Sequence, residues 1–205
     1  IHHPEETYYD PSDIQNGEQI NSSVSLDTQG LQTGVYPVEI RNTATFGESV
    51  FSTSLQESVT VVNESASPFG AGWLLEGVDK LVPGFDDGQL LVSSKDDAIY
   101  YRIDPDNSGA YITPDANFSS LIKNPDGSHT LTDKYGYQQV FDINGLQVAS
   151  IDLNQNTIRY EYTQEKLDRI IDPVGAVTQF NYLLDHLRSV TDPSGRSTQF
   201  IHNAN

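Results

Sequence analysis

A twenty-residue repeat near the C-terminus limits this chain to a repetitive β structure. The segment 157–162 recurs at 177–182 and again at 197–202. The intervening segments 167–175 and 187–195 both end in Asp-Pro-x-Gly. Asp first, Pro second and Gly fourth are the preferences of a type I turn. Each unit is therefore predicted to be a strand, a turn and a second strand, with about three units from residue 137 onward.

Large side chains recur at two columns within these units. The first column holds Tyr160, Phe180 and Phe200, and the second holds Tyr162, Tyr182 and His202. Because strand side chains alternate between faces, two columns that are two residues apart share one face. We expect a ladder of packed aromatic rings there. A single unit cannot bury such a face alone, so the units are predicted to stack on one another.

The rest of the chain predicts an all-β protein. Stretches of helix formers are short and are broken by 15 Gly and 10 Pro. Residues 1–66 are predicted to be a partial immunoglobulin-like β-sandwich with an extended N-terminal tail, with strands near 24–26, 36–40 and 49–62. The spacing Leu31-x-x-Gly34-x-Tyr36 is typical of the corner where a Tyr hydroxyl bonds to the upstream backbone. Residues 67–205 are predicted to be the repeat-type β region.

Trp73 is the only tryptophan, and it follows Gly70, Ala71 and Gly72. Three small neighbours predict tight burial of the indole as a packing anchor. The alternative is a Trp that stacks on a sugar.

The charge balance excludes several classes of partner. The formal net charge of −18 repels phosphate backbones, so no nucleic acid partner is expected. No apolar run approaches the ~18–20 residues that cross a bilayer, so no membrane insertion is expected.

The chain has no Cys, which removes disulfides and thiolate chemistry, and no Met, which predicts a piece of a longer parent. No nucleophile elbow or phosphate loop occurs, so we expect no catalytic residues and no enzyme activity. A hydrolase would require a pair of acids in a cleft.

One segment has the oxygen spacing of a calcium loop. Asp104, Asp106 and Ser108 stand at positions 1, 3 and 5, with Asp115 at position 12 and Gly109 at position 6. These four side chains are the candidate metal ligands, and no other cofactor is expected. The alternative is a polar hairpin turn between strands at 100–103 and 110–112. Asp-Pro at the start and the strand-like flanks favour that alternative.

The repeat pattern Tyr/Phe-x-x-x-x-Leu-x-x-Ile/Val-x-Asp-Pro-x-Gly resembles the YD repeats of RHS-repeat proteins. The lead-in at 126–141 and the segment 61–82 also resemble that family, so the likeness covers about 31–205. The chain departs from the repeat pattern at Thr163 and Leu183, where Asp is usual, and the turn at 154–156 lacks its Gly.

The resemblance implies a scaffold. RHS and teneurin-like proteins wind a β strip into a hollow shell that encloses a toxic domain or presents adhesive surfaces. We therefore expect a non-catalytic structural module of a large secreted or cell-surface protein, located outside the cell or on its surface. Its expected partners are other repeats of the same parent chain, together with a self-assembling copy or an enclosed C-terminal domain. The alternative function is a calcium-stabilised adhesive or carbohydrate-binding module, which predicts exposed aromatic side chains.

Overall fold

The computed structural model describes residue 8, residues 24–95 and residues 97–202, apart from the side chain of Phe46. The described residues form antiparallel strands and no helix, which confirms the all-β prediction. The strands are β1 Gly34–Phe46, β2 Ser49–Val61, β3 Lys80–Pro83, β4 Gln89–Ser93, β5 Asp97–Ile103, β6 Tyr111–Ile112, β7 Ser120–Lys123, β8 His129–Thr132, β9 Gln138–Phe141, β10 Gln147–Ile151, β11 Thr157–Thr163, β12 Lys166–Ile171, β13 Val177–Leu183, β14 His186–Thr191 and β15 Ser197–Gln199.

The chain divides into two units, residues 1–31 and 32–205. In the first unit, the described residues 24–31 contain no strand, so the strand predicted at 24–26 is wrong. The predicted N-terminal tail otherwise lies outside the described residues. Every strand among the described residues belongs to the second unit. The predicted domain boundary at 66/67 stays a prediction.

Strands that are neighbours in sequence are neighbours in the sheets. β1 and β2 form a separate hairpin, β3 to β6 form one sheet and β7 to β15 form another, each in sequential order. An isolated bridge between Ala110 and Ile122 joins the second sheet to the third. The turn after β9 returns to β3, where the Leu81 N–H donates to the Gly145 carbonyl at 2.9 Å. Strands β3 to β9 thus close on themselves at this point.

A ten-residue period fills the core of strands β3 to β9. Each strand contributes one large side chain that is at most 9% exposed. They are Leu81, Leu91, Tyr101, Tyr111, Leu121, Leu131 and Phe141. This period is half of the repeat found at the C-terminus, and the sequence analysis missed it because its turns lack the Asp-Pro-x-Gly pattern. The spacing of one strand for every ten residues therefore begins as early as Leu81.

The aromatic ladder predicted for the repeats is present in the second core. Tyr160 and Phe180 are buried together with Leu167 and Leu187, and Tyr162 and Tyr182 pack against them half-buried. Phe200 is 39% exposed, because β15 pairs with β14 on one side only among the described strands. The Leu187 N–H also donates to the Pro68 carbonyl at 2.7 Å, so the 67–78 segment covers this core.

The same aspartate turn recurs along the strip. In five turns, one carboxylate oxygen accepts the backbone N–H groups two and four residues later, at 2.8–3.0 Å. The residues are Asp133, Asp142, Asp152, Asp172 and Asp192. In the turn without glycine, Gln155 adopts the positive φ of +66°. These bonds favour the ionised carboxylates: a side-chain bond from Asn156 lowers the pKa of Asp152, and the Arg196 backbone lowers that of Asp192.

The β1–β2 hairpin is amphipathic and open to solvent. Its register pairs Ile40 with Leu55, and these side chains are 43% and 53% exposed. The Tyr36 hydroxyl donates to the Gln32 carbonyl at 2.8 Å, which confirms the predicted corner bond. The part-sandwich predicted for residues 1–66 amounts to this hairpin in the described range 24–66, where no second sheet is present. Its immunoglobulin-like character stays a prediction.

Candidate functional site

The predicted calcium loop is the turn between β5 and β6. The Asp104 N–H donates to the Ala110 carbonyl at 3.0 Å, and the Ala110 N–H donates to the Asn107 carbonyl at 3.0 Å. The Asp104 Oδ1 atom accepts the Asp106 N–H at 3.0 Å. Asp106 and Ser108 are exposed. The turn is thus closed by its own backbone, as the hairpin interpretation expects.

Asp115 lies elsewhere. It follows β6, and it lines a surface depression together with Asp97 and Asp133 rather than with Asp104. Within residues 24–95 and 97–202, no three His, Asp or Glu side chains form a group that could hold a metal ion. The calcium site therefore stays a sequence prediction without a gathered ligand set.

That depression has a volume of about 500 Å³ and is the candidate binding surface of the protein. We name it the aromatic depression; residues 97–100, 114–119 and 133–135 line it. Two of its side chains, Phe118 and Tyr135, are 73% and 69% exposed. Both belong to connections between strands, so strand packing does not require these rings. Aromatic rings left open in a concavity are typical of contact surfaces.

Hydrogen bonds hold the connections that carry these rings. The Asp133 Oδ1 atom accepts the Tyr135 N–H at 2.8 Å, and the Lys134 Nζ atom lies 4.9 Å from the Tyr135 ring centre. On the other side, the Asn117 Oδ1 atom accepts both the backbone N–H of Ser119, at 2.9 Å, and its hydroxyl, at 2.7 Å. The Tyr101 hydroxyl lies 2.6 Å from that Ser119 hydroxyl. The core residue Tyr101 thus supports the floor of the depression.

A second depression of about 530 Å³ lies beside the base of the hairpin. Its lining consists of Val62, Glu64, Ser65, Ala71, Gly72, Leu74, Val92, Ser93, Asp97 and Ala98. Half-buried Glu64 has its pKa raised by burial, with Lys80 opposing the shift. No exposed aromatic ring lines this depression. It offers two carboxylates, those of Glu64 and Asp97, among small and aliphatic side chains, which is a weaker set of contacts for a ligand.

Trp73 is 69% exposed, so the predicted burial is wrong. The turn that carries it is closed by its own bonds: the Trp73 N–H donates to the Gly70 carbonyl at 2.9 Å, and the Ser67 hydroxyl donates to the Trp73 carbonyl at 2.5 Å. Gly70 and Gly72 adopt φ of +125° and +77°. Both glycines therefore supply backbone conformations that other residues rarely adopt, and the indole faces solvent.

A polar network that sequence reasoning missed joins the segment before β3 to the strip. The Asp79 Oδ1 atom accepts the Ser94 N–H at 2.8 Å, and the Oδ2 atom accepts Gln139 Nε2 at 2.7 Å. The Asp79 N–H donates to the Oε1 atom of Gln147 at 2.7 Å. Gln147 is fully buried. This carboxylate is occupied in holding strands together.

The network continues into the second core. The Gln147 Nε2 atom donates to the Ser150 hydroxyl at 2.8 Å, and that hydroxyl lies 3.1 Å from the Tyr160 hydroxyl. The Tyr160 hydroxyl also donates to the Gly77 carbonyl at 3.3 Å. Burial raises the pKa of Tyr160, so its hydroxyl stays protonated at neutral pH. Asp79 carries no sequence signal for this role beyond its place in the family-like segment 61–82, and Gln147 carries none.

Two buried polar atoms in the described residues lack a partner, His129 Nδ1 and Tyr182 Oη. The other ring nitrogen of His129 lies 3.0 Å from the Tyr111 hydroxyl. Burial first, and Lys123 second, lower the pKa of His129, so the ring is neutral at pH 7. Burial, and Asp168 second, raise the pKa of Tyr182 to about 12. Neither residue lines either of the two depressions described above.

The remaining histidines do not form a metal site within the described range. His186 and His202 stack with ring centres 5.1 Å apart, and the His202 Nε2 atom lies 2.8 Å from the Leu187 carbonyl oxygen. His202 is exposed, so the expectation that it packs inside the second column is wrong. His2 and His3 lie outside the described residues.

The described residues include no helix long and apolar enough to span a membrane. A scan against protein-family models finds no match, and a search of curated proteins finds no significant match either.

Proposed function

We propose that this chain is a non-catalytic structural β-scaffold module of a large secreted or cell-surface RHS-repeat protein. The observation that carries the proposal is the sequential antiparallel pairing of β7 to β15, with one recurring aspartate turn and one buried column. A plan of this kind adds strands without changing the path of the chain. Each unit contributes a buried face to the next, so the repeats supply stability to one another.

The use of the polar side chains supports a structural role. Asp79 and Gln147 are engaged in bonds between strands, and the turn aspartates accept backbone N–H groups. On this proposal the partners are further repeats of the same parent chain, which would pair with the outer edge of β15. A self-assembling copy and an enclosed C-terminal domain are the alternatives for what the scaffold meets.

Mass-spectrometric mapping of the native parent polypeptide tests this function, combined with protease shaving of intact cells of its source. We expect peptides of this chain in the shaved or secreted fraction, on a parent whose peptides continue the twenty-residue pattern. A parent that is confined to the cytosol, or whose remaining sequence is a single enzyme domain without repeats, would contradict the proposal.

The second candidate function is the adhesive or carbohydrate-binding module. The exposed aromatic rings favour it, since a scaffold requires buried rings only, whereas Trp73, Phe118 and Tyr135 are each at least 69% exposed. The calcium part of this candidate rests on the sequence spacing alone. A scaffold that also presents a binding surface satisfies both candidates.

A further inference from the structure

The aromatic depression offers the flat apolar contacts that strand packing leaves unused. Phe118 and Tyr135 line one concavity of about 500 Å³ and keep about 70% of their surface exposed. The depression is shallow and open to solvent, so it suits a ligand that lies along the surface. Each ring offers an apolar face, and the axial C–H groups of a pyranose ring provide a matching apolar face.

The backbone connections that carry the two rings are held in place before any ligand arrives. Asp133 accepts the N–H groups of Tyr135 and Tyr137, and the Asn117–Ser119 turn is tied to the core through Tyr101. Binding to a preorganised surface costs less ordering of loops and side chains. The depression is therefore suited to a ligand that supplies few strong contacts, such as a neutral oligosaccharide.

The polar groups around the rings match hydroxyl groups. The Asp97 and Asp115 carboxylates have no hydrogen-bond or ion-pair partner among the described residues, and both line the depression. The Asn117 side chain also lines the depression, where it bonds to Ser119 and interacts with the Tyr101 hydroxyl, and its amide nitrogen carries two N–H donors. Carboxylates accept from sugar hydroxyls, and an amide nitrogen donates to them. This donor and acceptor set suits a polyhydroxylated ligand.

Charge decides between classes of glycan. Three carboxylates, those of Asp97, Asp115 and Asp133, face one ammonium group, that of Lys134, in the lining. The whole chain carries a net charge of −18. Sulfated or uronic-acid polymers and nucleic acids are repelled by this field. A neutral glycan carries no charge and is not repelled by this field.

We propose that the aromatic depression binds a neutral oligosaccharide. Phe118 and Tyr135 stack on pyranose faces, while Asp97, Asp115 and Asn117 hydrogen-bond to the hydroxyl groups. The proposal deepens the second candidate function and rests on it. The proposal does not depend on the scaffold role. If the sugar binding is disproved, the scaffold role still stands, and the reverse is also true.

The test is an NMR and calorimetric titration of the full chain. The chain is made in bacteria, because Asn117-Phe118-Ser119 matches the acceptor pattern for N-glycosylation and a glycan there would cover the depression. The probes are neutral hexasaccharides: cello-, malto-, laminari-, manno-, xylo- and chitohexaose. We expect at least one to bind, with shift changes centred on residues 97–100, 114–119 and 133–135. Phe118→Ala and Tyr135→Ala should each weaken that affinity about tenfold, the size of a moderate contact hot spot.

Trp73→Ala is the matched control, because Trp73 is as exposed as Tyr135 but does not line the depression. It should leave the affinity unchanged. Phe118→Leu keeps the apolar volume and removes the flat ring, so it replaces Phe118→Ala if that variant fails to fold. Tyr135→Phe should retain most of the affinity.

Three results overturn the inference, and they have different meanings. Binding that is lost with Trp73→Ala and kept with Phe118→Ala preserves the carbohydrate-binding function but moves its site. Binding by none of the hexasaccharides removes the inference and the carbohydrate-binding part of the second candidate function. If a Pro- and Lys-rich peptide binds the depression and no hexasaccharide does, the surface recognises protein instead.

Discussion

The β1–β2 hairpin and strands β3 to β9 use the same backbone pairing with opposite results for burial. The hairpin has two strands of thirteen residues each and an uninterrupted register, yet most of its described side chains are exposed. Strands β3 to β9 are only two to seven residues long, yet each buries one large side chain in a shared core. Ladder length therefore does not create a core. Closure does, because it brings side chains from many strands to one place.

The energetic reason is that backbone hydrogen bonds largely replace bonds to water. Their net contribution is ~1 kcal/mol each, and an isolated two-stranded hairpin is marginally stable. Removing a Leu, Ile or Phe side chain from water contributes ~1.5–3 kcal/mol. The seven-membered core thus anchors residues 81–141, while the hairpin depends on its corner at Tyr36 and on contacts at its base such as buried Val35.

The largest expected difference comes from a matched pair of leucines. Leu121→Ala, at a position that is 1% exposed in the core, should lower the free energy of unfolding by ~3–5 kcal/mol. Leu55→Ala, at a position that is 53% exposed in the hairpin, should lower it by less than ~1 kcal/mol. Urea denaturation of both variants measures the difference. Equal losses would show that the hairpin face is as well packed as the core.

The next effect concerns the point where β3 meets the turn after β9. Gly145 has a φ of +79°, and a Cβ atom there would overlap the Leu81 carbonyl oxygen. Gly175→Ala is the control, with a φ of +88° and no atom within 4 Å. Both variants bear the ~1–2 kcal/mol cost of a left-handed Ala.

Gly145→Ala should cost ~2–4 kcal/mol more than Gly175→Ala. This excess combines overpacking, ~1–3 kcal/mol, with the weakened Leu81–Gly145 hydrogen bond, ~1 kcal/mol. Thermal and urea unfolding of the two variants measure it. If both lose the same stability, β3 does not close against this turn in solution.

The smallest effect is a pH dependence inside the closed core. The pKa of His129 lies below its ordinary value of 6.5 in the folded chain, so the unfolded chain binds the extra proton first as the pH falls. The contribution of this neutral His to stability is therefore present above pH 6.5 and is lost as the pH falls through the folded pKa. His129→Gln keeps a partner for Tyr111 and removes the titration.

The stability difference between the parent and His129→Gln should shrink or reverse between about pH 7.5 and about pH 5, on either side of the ordinary His pKa. Exposed His186→Gln serves as the control, and urea midpoints at both pH values measure the change. The parent and the variant have the same carboxylates, so the effect of their titration on stability is the same in both and cancels in the difference. A difference that is independent of pH would mean that His129 is solvated in the folded chain.

Local patterns in the sequence predicted the parts of the fold that local chemistry controls. Alternation and turn residues predicted the β class, and Asp-Pro-x-Gly predicted the turns at Asp172 and Asp192. The spacing before Tyr36 predicted its corner bond. The repeat columns predicted burial of Tyr160 and Phe180. In each case the partner lies within the same strand, the same turn or the next repeat.

The predictions that were wrong concern side chains whose surroundings are set by segments distant in the sequence. Burial of Trp73 was expected from its small neighbours, but burial depends on which distant segment covers a residue, and the described structure leaves the indole open. Asp115 fitted a loop by spacing, yet β6 carries it to the depression beside Asp97. Spacing along a chain does not say which side of a strand or turn a side chain reaches.

The sequence by itself determined the all-β class, the Asp-Pro-x-Gly turns and the twenty-residue repeat, because these depend on side-chain alternation and on bonds within four residues. Only the tertiary structure decided which apolar faces are covered. It closed β3 against the turn that contains Gly145, buried Gln147 in a polar network and left Phe118 and Tyr135 open in one depression. Burial is a property of distant segments that meet in space, and only the folded chain brings them together.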